Sequence, residues 1–166
     1  MSLKTLATKS VQYNNWVVNQ YISWLSGKTD EQLNQETISS FPTILKTLHH
    51  IWQTQEYWWS HISENNDFDF EKTLAVSSKE DVFNAIRNNS QKLADYVENL
   101  SEEDLSKNVK IESQWFQCDF SKYEYIQHVI LHGTYHRGQI VTMGRAIGIT
   151  DAPMTDFNFW NIYKDQ

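Results

Sequence analysis

With one cysteine, two prolines and five glycines in 166 residues, the chain has few of the devices on which irregular or extracellular folds depend. The single thiol, Cys118, cannot form an internal disulfide; this excludes a disulfide scaffold and suits a reducing compartment. Scarce Pro and Gly, with few β-branched alternations, predict a mostly helical protein. No apolar stretch approaches the roughly 18 consecutive residues of a membrane span, and no charged, apolar and small-residue succession opens the chain as a secretory leader would. Basic residues are also few. Fourteen Lys and Arg against 21 Asp and Glu give a net charge of −7 without a basic run, so the electrostatic footprint of a nucleic-acid or membrane-surface binder is missing. The expectation is a soluble cytoplasmic protein with neither nucleic acid nor membrane as partner.

Forty per cent of the residues are hydrophobic, enough for a chain of this length to bury one core, and a single domain is expected over residues 1–166. Four long helices are predicted. The first covers about Ser2 to Leu25 and stops at Gly27. The second starts near Ser40 as cap, with Pro42 in its first turn, and continues to about Ile62. A polar loop from Ser63 to Lys72 leads to the third, which begins after Ser78 in a Ser-x-x-Asp pattern with Asp81 and runs to about Leu100. The fourth begins at Ser121, with Glu124 completing the capping pattern, and ends near Gly148. Between the last two, 101–118 contains IESQWFQ, readable either as a short strand or as an ordered loop. The fold class is all-α: a four-helix bundle with a long crossover connection.

The last helix carries the chemistry. His128, His132 and His136 recur every four residues in EYIQHVILHGTYHRGQIVTMGRAIG. That spacing puts all three imidazoles on one stripe, which also holds Tyr125, Val129, Gln139, Ile140, Met143 and Ile147 and therefore faces inward. Core packing accounts for a lone histidine. A pair at i and i+4, such as His132 and His136, can instead turn its nitrogens towards one cation.

A further ligand can come from the second helix, where His49 and His50 are adjacent. Lys46, His49, Gln53, Glu56 and Ser60 form a continuous polar stripe, the pattern of a solvent face, so His49 belongs outside. His50 lies about 100° further round the helix, on a flank with Thr43, Thr47, Thr54, Tyr57 and Trp58 that meets the apolar face and can line a cavity. His61, near the helix end, shares that flank and is the weaker candidate.

FPTILKTLHHIWQTQEYWW, then HVILHGTYHRGQI and GITDAPMTDFNFW, with YNNW in the first helix, resemble the DinB/YfiT-like family of bacterial metal-binding four-helix bundles over nearly the whole chain. The resemblance implies a divalent metal held by His50, His132 and His136, with zinc or nickel foremost and iron also in range. It implies a metal-dependent enzyme acting on a small-molecule substrate, either a transferase using a low-molecular-weight thiol or a hydrolase using water. The alternative is a metal-binding or stress-related protein without turnover. A homodimer is a further implied option. Tyr135 stands where many members have another His.

Three imidazoles leave coordination positions open, as catalytic metal sites do. Gln139 and His128 share the ligand stripe and are candidates for hydrogen-bonding the ligands, although for His128 core packing comes first. Other metalloenzyme patterns are missing: Gly133 replaces the general base of a zincin His-Glu-x-x-His, and no Glu-x-x-His of a di-iron bundle occurs. Cys118 reads as a buried structural thiol, and Arg137 as pairing with an acid away from the stripe. Gly133, Gly138 and Gly144 in one helix each cost roughly 1 kcal/mol relative to Ala; close helix approach, with Gly138 as the first candidate, is the expected use. Trp16, Trp115 and Phe116 are candidates for a pocket mouth, and the apolar DFNFW tail is expected to fold back or meet a second copy.

Overall fold

The computed structural model describes residues 1–114 and 116–164. Four long helices dominate it: α1 (Leu3–Ser26), α3 (Ile44–Ile62), α5 (Lys79–Asn99) and α7 (Lys122–Ala146). Short helices α2 (Asp30–Asn34), α4 (Phe70–Leu74), α6 (Glu102–Ser106) and α8 (Phe157–Tyr163) occupy the connections, and β1 (Asn108–Glu112) pairs antiparallel with β2 (Gln117–Ser121). None of the described helices is long and apolar enough to cross a membrane.

Side-chain caps set where the long helices begin. Ser2, Thr43, Ser78 and Ser121 each accept a hydrogen bond from the backbone N–H three residues on, a contact worth about 1 kcal/mol. At Ser121 the box is complete, because the Glu124 side chain also accepts from the Ser121 backbone. The second long helix starts three residues later than the sequence predicts, with Thr43 as its cap in place of Ser40. Proline disfavours the helical region for the residue before it, so Phe41 stays outside and Pro42 precedes the helix instead of entering its first turn. α7 ends as expected. Gly148 takes φ +84°, Ile149 N–H reaches the Gly144 carbonyl (2.8 Å) and Gly148 N–H the Arg145 carbonyl (3.2 Å), the paired bonds of a Schellman close.

Each of α1 and α3 packs against both α5 and α7. The core divides into two clusters. One joins the C-terminal half of α1 to the N-terminal halves of α3 and α5 and the C-terminal half of α7. The other joins the opposite halves, together with Leu105 of α6 and Ile111 of β1. It follows that α3 and α5 run in the same direction and that the chain between them, 63–78, must travel back along the length of α3, about 28 Å for 19 residues. This is the long crossover. It is not the plain loop the polar sequence predicts up to Lys72, because α4 starts at Phe70 and docks on α3: Gln53 donates to Thr73 Oγ1 (2.6 Å) and His49 Nε2 to the Thr73 carbonyl (2.9 Å). His49 is therefore half-buried beneath the crossover, not on the solvent face its stripe predicts.

The 101–118 segment resolves the other choice the sequence leaves open. It forms α6 and then the hairpin β1–β2, with Ile111 opposite Cys118. The tail folds back, as Trp160 is 4% exposed and Tyr13 donates to the Thr155 carbonyl (2.6 Å) and meets the Phe157 ring edge-on.

Candidate metal centre

The apolar positions of α7 turn one face of the helix into the core, and His136 goes with them, buried as Val129, Ile140 and Met143 are. His132 sits one turn before it, half-buried. On α3, Thr43 starts the helix so that Ile44, Leu48 and Ile51 face the core, which puts His50 on the adjoining flank, opposite α7. One ligand nitrogen from each of His50, His132 and His136 lies within 4.8 Å of the others. His50 Nε2 and His132 Nε2 are 3.1 Å apart. Two nitrogens bound tetrahedrally to zinc at 2.0–2.1 Å stand about 3.3 Å apart, so the observed spacing is already close to that of a chelating pair.

The surroundings keep these rings in the form a cation needs. Burial, reinforced by the nearby His136 and His49, pulls the pKa of His50 down to about 4. Burial, reinforced by His136, His50 and other cations, pulls His132 down to about 3. Both are neutral at pH 7 and offer lone pairs. His136 is oriented by Gln139: its Nδ1–H donates to Gln139 Oε1 (2.7 Å), and Gln139 Nε2 donates in turn to Ser40 Oγ (2.8 Å). With Nδ1 protonated, the free lone pair of His136 is on Nε2. Phe41 stacks on His50 at 4.1 Å between ring centres. Ser40 and Phe41 therefore steady two of the three imidazoles from the α2–α3 connection. The sequence reading missed both roles, although the Phe-Pro pair that forces an extended turn before α3 was a visible signal.

The other candidates fall elsewhere. His128 is exposed and does not pack in the core; its ring lies 6.0 Å from that of His132 and edge-on to Trp58, and it makes no hydrogen bond to the cluster. His61 bonds Asn66 Oδ1 (3.0 Å) near the end of α3. Arg137 points away from the stripe, as predicted, but pairs with no acid among the described residues. The residue is 5% exposed, its guanidinium donates to Asn14 Oδ1 (3.0 Å) and Thr134 Oγ1 (3.0 Å), and burial draws its pKa down to about 10. Gly133 is used to admit that guanidinium, since a Cβ there would come within 2.9 Å of Arg137 Nη1. Close helix approach occurs at Gly144, where a Cβ would meet Trp24 of α1 at 3.5 Å, and not at Gly138, which has open space around it. Trp16 packs beside Tyr13, and Trp115 lies outside the described residues.

Two cavities adjoin the histidines. The larger, of about 520 Å³, is walled by Trp58, Phe116, Cys118, Phe120, Tyr125 and His128. Cys118 is thus half-exposed at a cavity wall and not a buried thiol. The smaller, of about 250 Å³, opens beside His50 and is lined by Tyr57, Trp58, Phe68, Phe70 and Phe116. Phe116 is the pocket-mouth residue the sequence reading named correctly, and its ring stacks on Trp58 between the two spaces.

Comparison with known proteins bears on the whole chain. The model of the DinB family matches residues 1–165. Protein DinB of Bacillus subtilis (strain 168) is similar, with 29% identity over 170 residues and 95% of each chain covered.

Proposed function

The chain belongs to the DinB family, and from that membership together with the histidine cluster we propose that it binds one divalent metal ion through His50, His132 and His136 and uses it for thiol-dependent group transfer. The observation that carries the reading is the convergence of three imidazoles from two helices, with ligand nitrogens within 4.8 Å of one another. The donor set fits such an ion: His50 and His132 are uncharged, Gln139 fixes the tautomer of His136, and three ligands leave room for a guest. Imidazole donors suit zinc, nickel and iron. A divalent ion supplies Lewis acidity there, making a thiolate or hydroxide available near neutral pH.

The chain's own residues favour thiol over water. Activation of water gains from a positioned general base, whereas among the described residues the polar side chains bonded to the cluster are Gln139 and, through it, Ser40, neither of which is one. A thiolate needs no such partner: its sulfur attacks the electrophilic carbon, the leaving group departs with its electron pair, and the thiol proton passes to solvent. The aromatic cavities beside His50 and His128 would hold the electrophile away from bulk water. The lone cysteine agrees with a reducing cytoplasm, where low-molecular-weight thiols are available.

The test is metal analysis of the purified protein beside His132→Ala, followed by assays of the metal-loaded form with and without added thiol. One equivalent of metal in the parent, its loss in the variant, and conjugation that requires thiol are expected. Hydrolysis without thiol would support a hydrolase instead, and full occupancy with neither activity a non-catalytic metal-binding protein.

A further inference from the structure

The larger cavity has a chemistry of its own. Its walls are mainly ring faces: Trp58 stacks on Phe116 at 5.7 Å and on Tyr125 at 5.3 Å, and Phe120 closes one side. The polar atoms in those walls are largely spent internally. Tyr125 donates to the Val109 carbonyl (2.9 Å), accepts from Phe120 N–H (3.2 Å) and touches Cys118 Sγ (3.2 Å), while Glu124 is occupied by Ser121. No Lys or Arg lines the space among the described residues, and the one charged group that does is the acid Glu124. What remains is His128, whose ring nitrogens have no hydrogen-bond partner among the described residues and which stands one helical turn before His132.

From these features we infer the substrate class of the site proposed above, and the inference rests on that reading for its link to the reaction: the cavity receives a neutral aromatic group, held against Trp58 and Phe116, with a polar atom of the substrate directed to His128. A flat ring satisfies walls that offer apolar faces and few free donors. Anionic groups are disfavoured because burying a carboxylate or sulfonate here would leave it without a cationic partner and beside a like charge. Phe116 lies at the turn of the β1–β2 hairpin and its ring stacks on Trp58 of α3, so hairpin and helix together build the aromatic wall.

The probe is N-phenyl-1-naphthylamine, a neutral aromatic fluorophore, titrated into the full chain in both metal-free and metal-loaded forms. Its anionic relative 1-anilinonaphthalene-8-sulfonate is titrated in parallel. Saturable one-to-one binding of the neutral probe is expected in both forms, tighter than that of the anion, with a shift of the His128 ring signals in the nitrogen–proton spectrum. Phe116→Ala and, separately, Phe120→Ala should each weaken it about 5-fold, the effect of one ring contact of roughly 1 kcal/mol; circular dichroism checks that each variant folds. The inference is overturned if the probe does not bind, if the anion binds as tightly, or if folded variants bind it as the parent does with no shift at His128. Since binding is read without metal, a failed metal analysis would sink the catalytic reading and leave this result standing, and the reverse also holds.

Discussion

Gln139 does for His136 what no feature of the imidazole itself can do: it decides which nitrogen carries the proton. Its carbonyl oxygen takes the Nδ1 hydrogen at 2.7 Å, and its own amide is held by Ser40 at 2.8 Å, so the ring can turn little and keeps Nε2 free. Replacement by an apolar residue removes the acceptor and keeps most of the packing. Gln139→Leu should lower metal affinity about 10- to 100-fold, read by competition with a chromophoric chelator, and an unchanged affinity would show that the tautomer is set in another way. Arg137, the next residue after His136, illustrates the opposite economy. It is buried, and its side-chain partners among the described residues, Asn14 and Thr134, are neutral, so there the hydrogen bonds offset its desolvation without an anion.

At the scale of the element, α7 combines two kinds of glycine. A Cβ on Gly144 would come within 3.3 Å of the Ile149 carbonyl oxygen, part of the backbone that closes the helix, and within 3.5 Å of Trp24, whereas a Cβ on Gly138 meets nothing within 4 Å. Gly138→Ala should therefore raise stability by about 0.5–1 kcal/mol through helix propensity. Gly144→Ala should lower it, because crowding of about 1–3 kcal/mol exceeds the same gain. Urea titrations of the two variants test the pair, and equal responses would contradict the geometry. The crossover shows a related dependence on neighbours. Polar side chains of α3 that read as a solvent face instead hold α4, and Thr73 serves as both acceptor and anchor.

For the molecule as a whole, Glu64 joins regions far apart in sequence. It sits at φ +62° just after α3, and its carboxylate accepts from Lys107 (3.0 Å), beside the hairpin, and from Lys122 (2.7 Å), at the start of α7 and itself bonded to Tyr96 of α5 (3.1 Å). Hydrogen bonds from Lys122 and then Lys107 hold this carboxyl below the ordinary glutamate range. The unfolded chain takes up the proton first as pH falls, so the contribution to stability is complete above about pH 4.5 and disappears as pH drops through the lowered value. Thermal melting from pH 7 to pH 3 should show the parent above Glu64→Gln at neutral pH and the two curves converging in acid. A gap independent of pH would mean that the ion pairs contribute nothing.

Much of this was legible in the amino-acid order because it depends on near neighbours. The stripe through His132 and His136, the turn that gives His50 a different face from His49, the caps at Ser78 and Ser121 and the close at Gly148 all follow from helical period and local hydrogen bonding. What the sequence could not supply are contacts between residues far apart along it. The polar stripe of α3 looked solvated because the covering segment lies some twenty residues away, as His49 to Thr73 shows. His128 looked buried by its period, yet at its height on α7 the neighbouring elements leave an opening, and the ring faces a cavity instead of the core. The start of α3 shifted from Ser40 to Thr43, and the freed Ser40 became the partner of Gln139, 99 positions away. By itself, then, the sequence determined which histidines share a face, since periodicity is a property of one helix. Only the tertiary structure decided that two faces meet at 3.1 Å and what surrounds them, because that depends on how helices distant in the chain pack together.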